Sequence, residues 1–364
     1  MQTPGQDAAA PPANNNCPEN YVLTETGPLS RPRVGGTLVA LPGNRAAIFG
    51  GCDDIPNTPP IDPGWCPVEV YEESTGRWTE VGYLQHKRLG YAAAHLREGE
   101  VLLVGGVDLQ ENGGSASVEI FDTSTGQSRL AEPLPDPLIL ASALRLADGR
   151  VLVSGGWDGE PSVRMDHIYL PEQDEWQAVP LSSTGADDYV GLVALYDGAL
   201  SIGQRLSYAL DQGSPGPRPM RLPSDVATRT LTFGQSRAVS ASLPRSPAAM
   251  ISHDGWFVRI SSTRTLRWQR LWEPVVSVSG SPKGILSFCS HALIISTRRE
   301  VDAEMLPRLP SNMMVYEGRP PEAALPDNSF AGAVQLDAER GLLIRGNPEG
   351  DFSPSTRTYL YAPE

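Results

Sequence analysis

The sequence predicts an all-β chain built by repeating one four-stranded unit. Three observations carry that expectation. The apolar runs are short and bounded by turn residues. A double glycine recurs at 50, 105 and 155, a period of 50 to 55 residues. After each double glycine comes an aromatic that stands seven residues before a Trp or Ser. The clearest unit runs from Arg88 to Ser128, RLGYAAAHLREGEVLLVGGVDLQENGGSASVEIFDTSTGQS.

Within it, YAAAHL, VLLV and VEIF are too short for helices and are bounded by Gly, Asp and Asn, so they read as strands. A run apolar on both faces suits a strand sandwiched between neighbouring sheets. Thr125-Gly126 supplies a residue tolerant of positive φ to a tight connection, which favours a hairpin. Gly105-Gly106 has no side chains, so the backbone there turns sharply and approaches a neighbouring unit closely.

Composition sets the outer bounds. The 364 residues suffice for one large repeat domain or two ordinary ones. The 36 Gly and 34 Pro are what many short strands and turns require. A net charge of −14 and a pI near 4.9 argue against nucleic acid and against an anionic membrane surface. No run approaches the roughly 18 apolar residues of a membrane span, and no apolar signal core follows Met1. Direct membrane insertion is therefore not expected.

None of the four cysteines forms a CxxC pair, which argues against zinc. Cys52 and Cys66 flank DDIPNTPPIDPGW, a loop without strand signals of its own. A disulfide closing it would stabilise by roughly 3 kcal/mol. Cys17 with Cys289 is the second candidate pair, and free thiols in a reducing cytoplasm are the alternative. Either bridge implies an oxidising compartment.

In chain order, residues 1–16, MQTPGQDAAAPPANNN, offer no core and read as a disordered tether ahead of a single domain, 17–364. A tether before a Cys is what an exported or lipid-anchored protein shows, with Met1 native or marking a removed export signal. The first repeat begins near Arg31. Arg33 precedes Gly50 by 17 residues, as Arg88 precedes Gly105, and VEVYEESTGRW aligns with VEIFDTSTGQS. The third copy is SALRLADGRVLVSGG followed by DHIYLPEQDEW.

Beyond residue 185 the copies decay. GLVALYDGALSIGQ keeps Asp197-Gly198 and Gly203 but loses the second glycine. A fifth unit at 227–275 uses TLTF, AVSA, WFVRIS and RWQRL. A sixth at 276–325 uses ILSF, ALIIS and MMVYEG around the polar TRREVDAEMLPRLPS. The seventh opens FAGAVQLDAERGLLIRGN, ends TYLYAPE and lacks a last strand, which NYVLTE at 20–25 is expected to supply. Such units form the blades of a β-propeller, and strands from both chain ends sharing the last blade remove the open edge. Seven blades are expected, with six the alternative should the fifth and sixth be mis-divided.

A repeat of about 50 residues with a double glycine, then an aromatic and a Trp seven residues on, resembles the kelch repeat, which builds propellers. The carriers are Gly50-Gly51, Tyr71 and Trp78; Gly105-Gly106 and Phe121; and Gly155-Gly156, Tyr169 and Trp176. The resemblance is full over 31–180 and partial over 185–364. It implies four-stranded blades with the loops after the double glycines, and those joining blades, on one face. It implies little about function, because propellers host many activities.

The post-glycine loops, 52–67, 107–117, 157–165 and 297–311, are long and unlike one another, as binding loops on a repeated frame are. GGCD, GGVD and GGWD place Asp53, Asp108 and Asp158 at equivalent positions. They form either a carboxylate ring for a cation or basic partner or caps of their own turns, which membership of the repeat favours. Asp54, Asp62, Glu111 and Glu160 make the face acidic in either case. Trp65 and Trp157 stand in the same loops, to stack on a sugar or apolar side chain or to pack the loop. Trp78, Trp176 and Trp268 are expected between blades, and Arg33 and Arg88 are expected to bond neighbouring backbone.

Five histidines, His86, His95, His167, His253 and His291, are scattered without HxH or HExxH spacing. His95 and His167 read as satisfied packing residues on strands. GxSxG is absent, as is the adjacent Tyr-His pair of the copper radical oxidases among kelch proteins. The expected function is a non-catalytic scaffold recognising a protein or glycan through the acidic loop face, without a cofactor. Its expected setting is exported, periplasmic, outer-membrane-associated or extracellular, in a larger envelope or surface complex. The alternative is a carbohydrate-modifying enzyme of epimerase or lyase type, with a buried, perturbed carboxylate in an axial pocket.

Overall fold

The computed structural model describes residues 18, 21–33, 36–51, 66–108, 113–156 and 166–179, the strand segments between 191 and 317, and residues 330–345 and 356–364. Among them every regular element is a β-strand, so the chain is all-β. After β1 (Tyr21–Glu25), the first sheet takes β2 (Thr37–Leu41), β3 (Arg45–Phe49), β4 (Val68–Glu72) and β5 (Arg77–Gly82) in chain order. The second repeat forms β6 (Arg88–Leu89), β7 (Ala92–His95), β8 (Glu100–Val104), β9 (Val107–Asp108), β10 (Gly113–Gly114), β11 (Val118–Asp122) and β12 (Gln127–Ala131). Of these, β7, β8, β11 and β12 make a four-stranded sheet, while β6, β9 and β10 make a short separate ribbon.

The third sheet is β13 (Ser142–Arg145), β14 (Val151–Ser154), β15 (His167–Leu170) and β16 (Glu175–Ala178). The fourth is β17 (Gly191–Leu195), β18 (Gly198–Ile202), β19 (Ser207–Asp211) and β20 (Arg218–Met220). The fifth is β21 (Val239–Ala241), β22 (Ala249–Ile251), β23 (Phe257–Arg259) and β24 (Gln269–Arg270). A three-stranded sheet follows, β25 (Pro282–Ser287), β26 (His291–Ser296) and β27 (Met314–Glu317). The last sheet is β28 (Phe330–Gln335), β29 (Gly341–Arg345) and β30 (Thr358–Pro363), with β1 added antiparallel to β30, Tyr21 opposite Pro363. The N-terminal strand therefore completes the C-terminal sheet, as NYVLTE was expected to.

Two units depart from their sequence outline. In the fifth, β21 falls on AVSA but β22 falls on Ala249–Ile251, and TLTF lies outside the described residues. In the sixth, β27 runs parallel to β26 where the repeat implies an antiparallel third strand. A parallel return needs a crossover of a dozen or more residues. The stretch between Ser296 and Met314 is long enough for one, but the equally long stretch between Phe49 and Val68 joins antiparallel strands, so loop length permits the parallel return without dictating it.

The early strands are sandwiched, and their two faces serve different cores. Val101, Leu102, Leu103 and Val104 of β8 are all fully buried. Because successive side chains point to opposite faces, Leu102 and Val104 pack with Val151 and Val153 of the third sheet. Val101 and Leu103 pack with Phe49 and Val70 of the first. Each such side chain contributes about 1.5–3 kcal/mol, so inter-sheet contact dominates stability. The first strands of the sheets touch in order: β7 lies against β2 and β13, β17 against β13 and β21, and β25 against β21 and β28. β28 also lies against β2.

A second contact joins units at their outer edge. The turn between third and fourth strands packs on the end of the outer strand of the preceding unit. Gly126 has φ +72, and a Cβ there would overlap the Val81 carbonyl oxygen. Its equivalent Gly76 accepts the Gly27 N–H at 2.7 Å, so the segment after β1 plays the same part as the end of β5. In the third unit Asp174 occupies this position with φ 54. Its Oδ1 accepts the Tyr169 hydroxyl at 2.6 Å and the Glu132 N–H at 3.0 Å, two bonds that offset the backbone strain. Burial, reinforced by Asp174, raises the Tyr169 pKa.

Alanine substitution separates backbone strain from overlap. A Cβ on Gly76 (φ +63) meets nothing within 4 Å, so Gly76→Ala should cost about 1–2 kcal/mol for the left-handed backbone alone. Gly126→Ala should cost about 1–3 kcal/mol more. Urea denaturation of both variants checks this, and equal midpoints would refute the contact.

Candidate functional site

The double-glycine loops rise from bases held by buried ions. Glu69 in VEVY and Glu119 in VEIF have no exposure at all. A carboxylate there costs several kcal/mol unless paired and fully hydrogen-bonded. Glu69 pairs with Arg33 at 2.5 Å and Glu119 with Arg88 at 3.3 Å. The other carboxylate oxygen accepts a backbone N–H, Ser30 to Glu69 at 2.7 Å and Gln85 to Glu119 at 2.6 Å.

The guanidiniums fasten both ends of each loop. Arg33 donates to the carbonyls of Gly50, at 2.8 Å, and Pro67. Arg88 donates to those of Gly105, at 3.1 Å, and Ser117, at 3.0 Å. Each arginine thus ties the double glycine to the residue that leads into the third strand. Burial draws both guanidinium pKa values below the ordinary value, and the adjacent glutamates oppose it.

Glycine is required where the next unit leans in. Gly50, Gly51, Gly105, Gly106, Gly155 and Gly156 all have positive φ. Gly106 donates to the Leu138 carbonyl at 2.7 Å, and a Cβ on Gly105 would overlap that same oxygen. Tyr91 of the second unit donates to the Phe49 carbonyl at 2.9 Å, at the first double glycine.

The third unit uses a different lock. Leu138 and His167 stand where Arg88 and Glu119 stand in the second. Ser154 Oγ donates to Asp166 Oδ2 at 2.5 Å, and Asp166 Oδ1 accepts the Gly155 N–H at 3.2 Å. Ser154 also lies 3.0 Å from Ser201 Oγ of β18, joining the third sheet to the fourth. His167 is buried edge-on against Trp176.

Of the acidic loop residues, Asp108 is described. It lies half-buried in β9, its backbone opposite Arg88 of β6 and Gly113 of β10. Its charge supports that of Arg88. Asp53, Asp54, Asp62, Trp65, Glu111, Trp157, Asp158 and Glu160 lie outside the described residues, as do Cys17, Cys52, Cys289, Trp268 and His253. Cys66 is buried with its sulfur 3.3 Å from the Gly50 carbonyl oxygen, at the foot of the first loop. Among the described residues no cluster of three His, Cys, Asp or Glu side chains could hold a metal ion.

Trp78 and Trp176 pack between units. Their rings lie against Tyr71 and Tyr169, centroids 5.3 and 5.0 Å apart. Their indole N–H groups donate to Thr358 Oγ1 of the last sheet at 3.1 Å and to the Glu132 carbonyl after the second sheet at 2.8 Å. His95 does sit on a strand, β7, but is not satisfied: its buried Nε2 has no hydrogen-bond partner. Burial first, then the charges of Arg145 and Arg45, hold its pKa below the ordinary histidine value.

The sequence signal for Glu69 and Glu119 is their shared position in aligned apolar strands, where a charge needs a buried partner. No protein-family model matches the chain, and no curated protein sequence matches it.

Glu119→Leu leaves Arg88 buried and unpaired, so it should cost about 3–5 kcal/mol in urea denaturation. Adding Arg88→Met should recover part of that loss, and no recovery would mean that the pair is not the cause. For His95 the sign follows from its lowered pKa. Protons bind the unfolded chain more tightly, so stability present above about pH 6.5 is lost as pH falls below it. Urea unfolding at pH 7.5 and 5.5 should show a smaller difference for His95→Gln than for the parent.

Proposed function

We propose that the sheets are the blades of a seven-bladed, kelch-like propeller closed by the pairing of β1 with β30. We propose further that the protein is a non-catalytic scaffold recognising a protein or glycan partner through the acidic face that carries the double-glycine loops. The ring is supported by the order in which first strands touch, β2, β7, β13, β17, β21, β25, β28 and back to β2. One observation carries the binding role: in the first two units a buried guanidinium fastens both ends of a long loop. Long, dissimilar loops on a repeated rigid base are where such frames place recognition.

The carboxylates of the loops favour a basic or hydroxyl-rich partner. An exported location, with Cys52 bridged to Cys66 across the first loop, completes the proposal. Capture from envelope and soluble fractions of the source cells, with a thiol count on the bait, tests it. A stoichiometric partner and an absence of free thiols are expected. Replacing Asp53, Asp108 and Asp158 together by Asn should weaken capture by about tenfold, 1.4 kcal/mol. The melting temperature should stay within about 3 °C. A collapse in melting temperature would instead make these residues structural.

A further inference from the structure

At the ends of the sheets away from the double glycines, the turns of the second and third units form a half-open cavity of about 410 Å³. Leu96 and Arg97 line it from the β7–β8 turn, Arg145 and Arg150 from β13 and its turn, and Leu170 and Pro171 from the β15–β16 turn. The three arginines differ. Arg97 donates to Glu172 at 2.8 Å and to Glu100 at 3.2 Å. Arg150 donates to Asp148 through Nε at 2.9 Å and Nη2 at 2.7 Å.

Arg145 has no carboxylate among the described residues. Its Nε donates to the Leu96 carbonyl at 2.6 Å, which fixes the guanidinium across the two units. Its Nη2 lies 3.8 Å from the point where a Cβ on Gly149, another wall residue, would stand. The groups behind it bring no acid: His95 has its bare Nε2, and Arg45 donates through Nε to the Pro42 carbonyl at 3.1 Å. Arg145 is exposed, and the two carboxylates of the same wall, Glu172 and Asp148, are engaged by Arg97 and Arg150, which leaves the Arg145 charge open to a ligand.

We infer that this cavity is a carboxylate-binding site, separate from the double-glycine loops, with Arg145 as its anchoring cation. A guanidinium held through Nε keeps its Nη1/Nη2 edge in place, and that edge donates in parallel to both oxygens of a carboxylate. Leu96, Leu170 and Pro171 form an apolar wall for the stem of the ligand, and the volume falls in the range of small-ligand pockets. A small dicarboxylate and the acidic side chain of a peptide present the same group.

Calorimetric titration of succinate, and separately of a hexaglutamate peptide, into the full chain at low salt is the test. Succinate binding alone identifies a small-molecule source, and hexaglutamate binding alone a peptide source. Arg145→Gln should weaken the binding about tenfold or more, 1.4 kcal/mol. Gln173→Glu, an exposed change in the cavity wall, should weaken it without altering melting. No binding of either probe to the parent overturns the inference, and so does Arg145→Gln binding as tightly as the parent. Should Arg145→Gln fail to fold, unchanged binding by Gln173→Glu overturns it.

Discussion

The buried Arg–Glu pair is the constraint on which the early units depend. Its worth does not lie in the ion pair alone, since desolvating two charges costs about as much as their attraction returns. Arg33 and Arg88 each also leave Nε–H buried without a partner, at about 1–3 kcal/mol apiece. What the arrangement secures is geometry. At Gly50-Gly51 and at Gly105-Gly106 the backbone stays in the left-handed region for two successive residues, and the carbonyl of the first glycine accepts from the guanidinium. A guanidinium with several donors in one plane gathers the stray carbonyls of that turn and of the returning strand.

From that base the rest follows outward. With side chains absent at the turn, the next unit approaches closely enough for Gly106 to bond Leu138 across the gap. That approach lets the two faces of β8 fill two different cores. At the outer edge, Gly126 against Val81 and Gly76 against Gly27 repeat the same principle, backbone on backbone with no Cβ between. Where the third unit abandons glycine for Asp174, and the Arg–Glu pair for Ser154 and Asp166, new hydrogen bonds stand in. One architecture thus tolerates different chemistry at the same place.

The repeat itself was legible in the sequence, because strand length, turn glycines and inter-unit tryptophans are local signals. β1 closing on β30 was legible for a different reason: the last unit lacked a strand and the N-terminus had one to spare. Long-range features were harder. Glu119 is an unremarkable strand residue until Arg88, 31 positions away, is placed beside it. The ribbon of β6, β9 and β10 rests on pairs too short to show a period, so no local pattern placed Asp108 on a strand. The parallel return of β27 depends on which end a long loop re-enters, which no local pattern encodes. The bare nitrogen of His95 was hidden because its neighbours, Arg45 and Arg145, come from other sheets.

The most direct test of the pair's role is hydrogen exchange, amide by amide, in Glu119→Gln. The Gly105, Gly106 and Ser115 amides bond at the base of the second loop. Those of Thr123 and Gly126 bond at the far end of the same sheet. If the pair holds the loop base, exchange should quicken about tenfold or more at the first three, a local opening that costs less than global unfolding. It should change little at the last two. A uniform acceleration at both ends would mean that the pair serves overall stability alone, contradicting its role as the anchor of the loop.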